Sequence, residues 1–266
     1  MNTALVTGVS RGIGETITSQ LLDRRWKVYG ISRSKPKHQR GNFQWLECDL
    51  ADADSITRSL AEITEVSVDL LVSNAGVAFK EPATAATPDS YRKMFTVNVL
   101  APMLLVSVLG DKLNHSTVIS VSSVSDRLIE GNLALYCASK AANTRFFEAV
   151  AAELPRAKVF TLLPDYVDTQ MLRDLEDPDF DWPGSLHADD VARLAIDLAF
   201  GTVAIDSGSN IIVINNKLQE DLGSREKLYG FNTDTGTLAK ILAAAAPESA
   251  PIVQGPRKKP LTPQWK

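Results

Sequence analysis

Seven short apolar runs, set far apart along the chain and separated by helix-like stretches, limit the possible folds most strongly. Several of these runs are apolar almost throughout instead of alternating, which is typical of strands covered on both faces in a parallel sheet. Strands that alternate with helices predict βαβ units with right-handed crossovers. The expected strands are residues 3–8, 27–32, 43–49, 68–74, 116–122, 158–164 and 210–215.

The stretches between the runs have helical spacing. The pattern therefore predicts an α/β fold: a single Rossmann-type, doubly wound domain with a mostly parallel, seven-stranded sheet. Pro102 is expected to bend the third helix. The expected helices are residues 14–25, 52–65, 89–109, 135–154 and 188–200.

Two segments depart from this pattern. Residues 170–187 are acidic and contain prolines, and they follow the carboxyl end of a strand, where open α/β sheets bind ligands. We expect a substrate loop or short helix there. Residues 1–218 are expected to form the domain, because strand character is lost from about Gln219. The extension, residues 219–266, is expected to be partly extended or disordered, with one short helix at 236–246.

Composition excludes several classes of function. A net charge of −4 argues against nucleic acid as a partner, because phosphate binding requires a basic surface. Cys48 and Cys137 lie far apart without metal-ligand spacing, which indicates neither a disulfide framework nor a metal site. No charged leader and no apolar run of about 20 residues is evident, so we expect a soluble, cytoplasmic protein without a membrane partner.

The first strand ends in "TGVSRGIG", which places glycines at positions 8, 12 and 14. Glycine is required where the backbone takes a positive φ or approaches a phosphate closely. A helix begins directly after this turn, and its free N–H groups favour an anion. A glycine turn alone is a weak signal, but its position between the first strand and a helix predicts a dinucleotide site.

The end of the second strand bears on which dinucleotide binds. A site built for NAD places an acidic residue there, whereas this chain has Ser32 followed by Arg33, with Arg11 in the glycine turn. Two guanidinium groups without a carboxylate suit a 2′-phosphate, so we expect NADP(H) rather than NAD(H). The alternative is that Arg33 and Lys35 only begin a solvated loop.

Two further strand ends are expected to contact this cofactor. Asp49, after the third strand, is placed to accept a hydrogen bond from the adenine amino group. It could instead cap the next helix, although Asp52 and Asp54 are available for that task. The fourth strand ends in "SNAG", which brings Gly76 close to the same ligand.

A second group of residues points to proton transfer. Tyr136 and Lys140 share a helix face, and Ser123 ends the strand before that helix. A nearby ammonium group is expected to lower the pKa of Tyr136 from its usual value of about 10 and so make it a useful acid/base. Tyrosine and lysine at this spacing are common on helices, so only their conjunction with the cofactor turn indicates catalysis.

These motifs together resemble the classical short-chain dehydrogenase/reductase family, over about residues 3–216. "TGVSRGIG" resembles its glycine motif, "NAG" its structural motif and "YCASK" its active-site motif. The resemblance implies a catalytic tetrad of Asn98, Ser123, Tyr136 and Lys140, in which the asparagine kinks a helix and anchors a water next to the lysine. It implies that Lys140 also holds the nicotinamide ribose and that Thr169 lies on the nicotinamide side of the cofactor.

The complete set of expected cofactor contacts is Gly8, Ser10, Arg11, Gly12, Ile13, Gly14, Ser32, Arg33, Asp49, Leu50, Asn74, Ala75, Gly76, Tyr136, Lys140, Pro164, Val167 and Thr169. Asp165 departs from the family pattern, because it follows Pro164 where a glycine is usual. Asn215 and Asn216 stand in a region where the family has glycines, and the long extension is atypical. The resemblance implies a homodimer or homotetramer, but these last departures affect the part of the chain on which that packing relies.

The sequence thus predicts an NADP(H)-dependent oxidoreductase that interconverts a ketone or aldehyde and an alcohol. Phe180 and Trp182 are expected on one wall of the substrate pocket, and Arg127 and Glu130 on the other, either as substrate-orienting charges or as solvated loop residues. An enone reductase, an imine reductase or an epimerase on the same scaffold is an alternative. So is a sensor that binds NADP(H) without turnover.

Overall fold

A computed structural model describes residues 1–176 and 185–214, together with the backbone of two strands, Leu228–Asn232 and Thr237–Lys240. Phe180 and Trp182, expected on a wall of the substrate pocket, lie outside the described residues. So does the remainder of the C-terminal extension.

Seven parallel strands form the main part of the sheet and confirm the predicted α/β class. Each lies within two residues of its expected bounds, and their order is β3-β2-β1-β4-β5-β6-β7. The order reverses between β1 and β4, as in a doubly wound sheet. The strands are β1 (Thr3–Thr7), β2 (Lys27–Ser32), β3 (Phe43–Glu47), β4 (Leu70–Ser73), β5 (Thr117–Val121), β6 (Lys158–Pro164) and β7 (Ser209–Ile214).

Helices cover both faces of this sheet. On one face Ile17, Leu21 and Val191 pack against the strands, and on the other Leu105 and Phe147 do so; all five are almost completely buried. This two-sided burial is the reason that the strands are apolar throughout. The helices are α1 (Gly12–Asp23), α2 (Ala53–Ala61), α3 (Pro88–Phe95), α4 (Ala101–Leu109), α5 (Ala134–Glu153), α6 (Gln170–Arg173) and α7 (Ala188–Phe200).

The third predicted helix is irregular, but its irregularity begins before Pro102. A π-helical turn, Thr96–Leu100, connects α3 to α4, and Pro102 lies in the first turn of α4. Proline is tolerated there because the first N–H groups of a helix have no partner within that helix. The π turn widens the helix at Asn98, whose buried side chain bonds Val77, after β4, and Ser139 on α5.

The expectation that no strand follows residue 219 is wrong. β8 (Leu228–Asn232) pairs in parallel with β7, and β9 (Thr237–Lys240) pairs antiparallel with β8, which gives a sheet of nine strands. β9 occupies residues for which a helix was expected. β8 and β9 therefore continue the sheet past β7, and β8 covers an edge of β7 that would otherwise expose its main-chain hydrogen-bonding groups.

The helical stretch Pro88–Leu113 has the length and the mean hydropathy, 1.7, of a membrane span, contrary to the expectation from its sequence. Its apolar residues include Met94, Leu105, Leu109 and Leu113, which are buried in the protein core. Core helices of globular proteins meet the same criteria, so hydropathy alone does not indicate that this segment crosses a membrane.

Candidate active site

A cleft of about 730 Å³ opens at the carboxyl ends of the parallel strands. Arg33 and Asp49 line one end of this cleft, and Ser123 and Tyr136 line the other. The structure thus brings the glycine turn and the expected proton-transfer groups into one cavity. All of the expected cofactor contacts line this cleft except Gly14.

The glycine turn leaves room for a ligand to approach the backbone. Gly8 and Gly12 have φ values of +77° and +63°, which L-residues with a side chain rarely adopt. A Cβ atom on Gly12 would lie 3.3 Å from Cγ2 of Thr169. A side chain at Gly12 would therefore reduce the space beside the turn. Because this space is open and α1 begins at Gly12, the geometry of the turn fits a dinucleotide phosphate.

Gly14 has a structural role at the base of the glycine turn. A Cβ atom on this residue would lie 2.4 Å from the carbonyl oxygen of Gly8 and 2.5 Å from Nδ2 of Asn74. Gly14 therefore allows α1 to pack closely against the ends of β1 and β4. It lies beneath the cleft and does not line it.

The end of the cleft nearest β2 carries exposed cations. Arg11, Arg33 and Lys35 line it, and neither arginine has an ion-pair partner among the residues that the structure describes. Ser32 accepts a hydrogen bond from Nε1 of Trp45 at 3.1 Å and donates one to the carbonyl oxygen of Ser34. This end of the cleft can therefore hold an anionic group.

Asp49 and Asp52 have different positions: Asp49 lines the cleft, and Asp52 caps α2. The Asp52 carboxylate caps α2 by accepting a hydrogen bond from the Asp54 N–H at 2.9 Å. Asp49 is exposed, lines the cleft and accepts a hydrogen bond from the Ala51 N–H. The Asp49 carboxylate is accordingly free of the capping role and accessible to a ligand.

The turn after β4 is fixed against β1. Oγ1 of Thr7 accepts hydrogen bonds from the N–H groups of Asn74 and Ala75, both at 2.9 Å, and Nδ2 of Asn74 donates to the Thr7 carbonyl oxygen. These bonds hold Gly76 at the cleft wall. A Cβ atom at Gly76 would lie 3.6 Å from Nζ of Lys140 and 3.2 Å from Oδ1 of Asn98.

Asn98 lies behind this wall and does not line the cleft. Its Oδ1 accepts a hydrogen bond from the Val77 N–H, and its Nδ2 donates to the Val77 carbonyl oxygen, both at 2.8 Å. Nδ2 also contacts Oγ of Ser139, on α5. The Asn98 carbonyl oxygen accepts a hydrogen bond from Nδ2 of Asn143 at 3.0 Å. The side chain thus joins the π turn to the segment after β4 and to α5.

Ser123, Tyr136 and Lys140 meet at the inner end of the cleft. Nζ of Lys140 lies 5.6 Å from the ring centroid of Tyr136 and donates a hydrogen bond to the Val121 carbonyl oxygen at 3.2 Å. Ser123 lines the cleft together with both of these residues. The three polar groups therefore occupy one side of the cleft, as their positions in the sequence predict.

The pKa of Tyr136 shifts in the opposite direction from the one expected. Burial raises it to about 12, the charge of Glu130 raises it further, and only the hydrogen bond with Ser123 opposes the shift. Burial also lowers the pKa of Lys140 to about 8, against the attraction of Asp126. Tyr136 is thus a neutral phenol at physiological pH, the form that donates a proton.

The two charges proposed for the substrate wall have different surroundings. Arg127 forms a two-point ion pair with Asp126, and its side chain is 8% exposed, so it neither faces a substrate nor lies in a solvated loop. Glu130 lines the cleft and accepts hydrogen bonds from the hydroxyls of Ser125, at 3.2 Å, and Tyr166, at 2.8 Å. No signal in the sequence indicates these two bonds, because they depend on how the loops after β5 and β6 meet.

The loop after β6 completes the substrate side. Asp165 lines the cleft, and burial raises the pKa of its carboxyl group, with a smaller contribution from Glu130. Met171, Leu175 and Glu176 follow it along the cleft wall, and Glu176 forms an ion pair with Lys80 at 2.8 Å. This end combines apolar and acidic groups around the reacting center.

Comparison with known proteins identifies the family of this chain. A family model described as short chain dehydrogenase matches residues 2–179. The 3-oxoacyl-[acyl-carrier-protein] reductase MabA of Mycobacterium bovis is 31% identical over 180 residues, which cover 65% of this chain and 72% of the reductase. A benzil reductase of Bacillus cereus is 30% identical over 193 residues, which cover 64% of this chain and 78% of that enzyme.

Solved structures have the same architecture. A 3-ketoacyl-(acyl-carrier-protein) reductase from Brucella melitensis, complexed with NADH, superposes with a TM-score of 0.73 at 22% identity, over 79% of this chain and 96% of the other. A short chain dehydrogenase from Burkholderia cenocepacia, in complex with NADP, has a TM-score of 0.70 at 25% identity, over 79% and 87% of the two chains. With the family model matched over most of its domain, the chain belongs to the classical short-chain dehydrogenase/reductase family of oxidoreductases.

Proposed function

We propose that the protein is an NADP(H)-dependent oxidoreductase that interconverts a ketone or aldehyde and an alcohol, with Tyr136 as its acid/base. The observation that carries this proposal is the meeting of Ser123, Tyr136 and Lys140 in the cleft that begins at the glycine turn. Two relatives whose names describe carbonyl reductases support the reaction class.

The chain's own residues suit carbonyl reduction. The glycine turn would hold the phosphates of a reduced nicotinamide dinucleotide and the wall at Gly76 its nicotinamide end, and the cofactor would supply a hydride. Tyr136 is protonated at neutral pH and donates its proton to the carbonyl oxygen, while the Ser123 hydroxyl lies beside that oxygen. Hydride and proton together convert the carbonyl to an alcohol. Lys140 lies against the phenol ring and at the wall of Gly76, where a ribose would be held.

The preference for NADP(H) rests on charge. Arg11, Arg33 and Lys35 line the far end of the cleft, and β2 ends at Ser32 and not at a carboxylate. A 2′-phosphate in this position would meet two guanidinium groups that have no other ionic partner among the described residues. The solved neighbours bind either nucleotide, the Brucella reductase NADH and the Burkholderia dehydrogenase NADP, so the preference rests on the charges of this chain.

The reaction is tested with Tyr136→Phe, which removes the proton and leaves the ring in place. We expect kcat for carbonyl reduction to fall about a hundredfold to ten-thousandfold, while the Kd for NADPH changes little. Steady-state assays with NADPH against panels of ketones, aldehydes, enones and imines measure the first quantity, and fluorescence titration measures the second. Unchanged turnover in the variant would refute the role of Tyr136.

The nucleotide is tested with the double variant Arg11→Ala/Arg33→Ala. NADPH binding is expected to weaken by about 1–3 kcal/mol for each lost charged contact, and NADH binding much less. Arg58→Ala, an exposed arginine on α2 with a weak ion pair to Asp52, is the matched control. Tighter binding of NADH than of NADPH by the wild-type protein would contradict the assignment.

The panel also separates the alternatives. Turnover of enones or imines but not of carbonyls would favour reduction of another double bond on the same scaffold. Tight NADPH binding without turnover of any panel member would favour a sensor. The cluster of Ser123, Tyr136 and Lys140 argues against the sensor, because cofactor binding alone does not require an acid beside the reacting center.

A further inference from the structure

Asp165 departs from the family pattern, lines the cleft and has no part in the mechanism above. It follows Pro164, the last residue of β6, and its N–H donates a hydrogen bond to the Val213 carbonyl oxygen of β7 at 3.0 Å. The pairing of β6 with β7 thus continues through Asp165. Because the sheet holds the backbone of this residue, its side chain starts from a fixed position at the cleft.

The side chain of Asp165 lies on the face of the sheet that α5 covers. Successive side chains of a strand point to opposite faces. Val159 of β6 packs in one apolar cluster with Phe147 of α5, whereas Leu162 packs in the cluster on the opposite face. Asp165 is an even number of residues after Val159, so it shares the face of α5, the helix that carries Tyr136.

The register of β5 and β6 brings Asp165 to the strand end beside that of Ser123. Val121 lies opposite Leu162, and the Ser122 N–H continues this ladder with a hydrogen bond to the Leu162 carbonyl oxygen at 2.8 Å. Ser123 and Asp165 therefore leave neighbouring strands, which lie about 4.8 Å apart. A substrate whose carbonyl oxygen lies beside Ser123 can thus reach Asp165 with a group a few bonds from its carbonyl carbon.

The Asp165 carboxyl differs in its partners from the other acids at this end of the cleft. Glu130 accepts hydrogen bonds from two hydroxyls, and Glu176 is paired with Lys80. No side chain in the described part of the chain bonds to the Asp165 carboxyl. Burial of this carboxyl raises its pKa, and the Glu130 charge adds to the shift. A bound cation would offset both effects.

The two lysines that line this end of the cleft are engaged elsewhere. Nζ of Lys140 donates to a main-chain carbonyl oxygen, and Nζ of Lys93 lies 5.2 Å from the ring centroid of Phe79. Neither forms an ion pair with Asp165. A hydroxyl group of a ligand would bond to the Asp165 carboxylate and leave its charge unpaired, whereas an ammonium group would donate the same bond and balance the charge.

Resting on the carbonyl reduction proposed above, we propose that Asp165 is a specificity-determining residue, which binds an ammonium group that the substrate carries a few bonds from its carbonyl group. The substrate is then an amino ketone or amino aldehyde, and the product is the corresponding amino alcohol. Met171 and Leu175 line the same end of the cleft, where they would contact the apolar remainder of the substrate.

The substrate class is tested with three phenyl ketones that differ in one group on the carbon next to the carbonyl: ammonium, hydroxyl or methyl. These groups are similar in size and differ in charge and hydrogen bonding. The assay measures kcat/KM with NADPH slightly below neutral pH, where the amine is protonated. We expect kcat/KM for the ammonium ketone to exceed that for the methyl ketone about tenfold to a hundredfold, with the hydroxyl ketone in between. A preference for the methyl ketone would overturn the proposal.

An ammonium group also makes a neighbouring carbonyl more reactive, so variants show whether the preference comes from Asp165. Asp165→Asn removes the charge and keeps the side-chain size, and the preference for the ammonium ketone is expected to fall about tenfold or more. Asp165→Ala should give the same loss if the amide itself distorts the site. Asp174→Asn, an exposed acid of the same connection outside the cleft lining, is the matched control and should keep the preference. An unchanged preference in both Asp165 variants would refute the assignment.

Calorimetry measures recognition without turnover. The amino alcohol product of the ammonium ketone, and its methyl analogue, are titrated into the full chain saturated with NADPH. We expect the amino alcohol to bind more tightly and Asp165→Asn to weaken its binding about tenfold. If the wild-type protein reduces no ketone while this binding depends on Asp165, the reaction is assigned wrongly and the recognition stands. If ketones are reduced without any preference that depends on Asp165, the recognition fails and the reaction stands.

The oxidised nicotinamide ring is also a cation, and the same variant distinguishes it from a substrate amine. NADP⁺ and NADPH are titrated into wild type and Asp165→Asn. Weaker binding of NADP⁺ alone, with the ketone preference unchanged, would place the carboxyl beside the cofactor ring and overturn the proposal. Melting curves of each variant confirm that the chain is folded.

Discussion

Single residues decide how closely the glycine turn approaches the sheet. Gly8 and Gly12 lie at positive φ, whereas Gly14 has an ordinary φ and is required for space. The motif does not show which of the three glycines is required for its φ and which for space, because a sequence does not show the neighbours of each glycine. The predicted contact between Gly14 and cofactor stays a prediction, whereas the packing role of Gly14 is seen in the structure.

The packing role of Gly14 predicts a loss of stability in Gly14→Ala. The new methyl group would meet the Gly8 carbonyl oxygen at 2.4 Å, so α1 must move away from β1. We expect the free energy of unfolding to fall by about 1–3 kcal/mol, measured by urea denaturation. Gly41→Ala is the control, because a Cβ atom there has no neighbour within 4 Å. Equal stability of the two variants would contradict the packing role.

At the scale of elements, local patterns predicted the strands well and the connections between them less well. Seven apolar runs are strands because each is covered by helices on both faces. The family resemblance implied a kink at Asn98, and the π turn lies there, but the local pattern does not predict it, since Val97 and Val99 suit an ordinary helix equally well. β8 and β9, with the sequences "LYGFN" and "TLAK", contain glycine and polar residues and lack the long apolar runs of the first seven strands. β8 pairs with β7, and β9 pairs with β8.

The candidate site shows the same division. The glycine turn, Ser123, Tyr136 and Lys140 are read from local motifs, and the structure brings them together. The bond between Tyr166 and Glu130 joins residues 36 positions apart and has no local signature. Contacts of this kind arise from the relative position of two loops, which a pattern of residues along one segment does not contain.

The π turn gives a prediction at this scale. In Asn98→Ala the Val77 N–H and carbonyl groups lose their partners, so the segment after β4 is expected to open locally at a cost of about 1–3 kcal/mol for each unpaired group. Amide hydrogen exchange at Val77 should accelerate. Asn98→Asp, which keeps the acceptor for the N–H, should accelerate it less, and Asn114→Ala, which loses only an exposed contact with Asp111, should leave it unchanged. Identical exchange rates at Val77 in wild type and Asn98→Ala would rule out this role.

At the scale of the whole molecule, the C-terminal extension determines where the sheet ends. β7 is fully buried, and β8 pairs with it along five residues, from Asn210 to Ile214. A chain without β8 would present the edge of β7, with its main-chain groups unpaired. β8 and β9, the described part of the extension, are therefore part of the folded sheet.

Removal of residues 217–266 is expected to lower the melting temperature by at least roughly 5 °C, because a ladder of main-chain hydrogen bonds is lost. The shortened protein is also expected to self-associate through the β7 edge. Thermal denaturation and light scattering after size-exclusion chromatography measure these effects. A chain that ends after Lys240 keeps β8 and β9 and serves as the control. If both chains melt and elute like the full-length protein, β8 and β9 do not protect this edge.

The side chain of Asn143 connects α5 to two neighbouring elements. Its Nδ2 binds the Asn98 carbonyl oxygen of the π turn, and its Oδ1 accepts the Ser120 hydroxyl of β5 at 2.7 Å. The helix that carries Tyr136 is thereby locked to two other elements at one point near its middle. When α5 moves, β5 and the π turn are therefore expected to move with it. The distance between Tyr136 and a cofactor ring bound against Gly76 is then expected to change little.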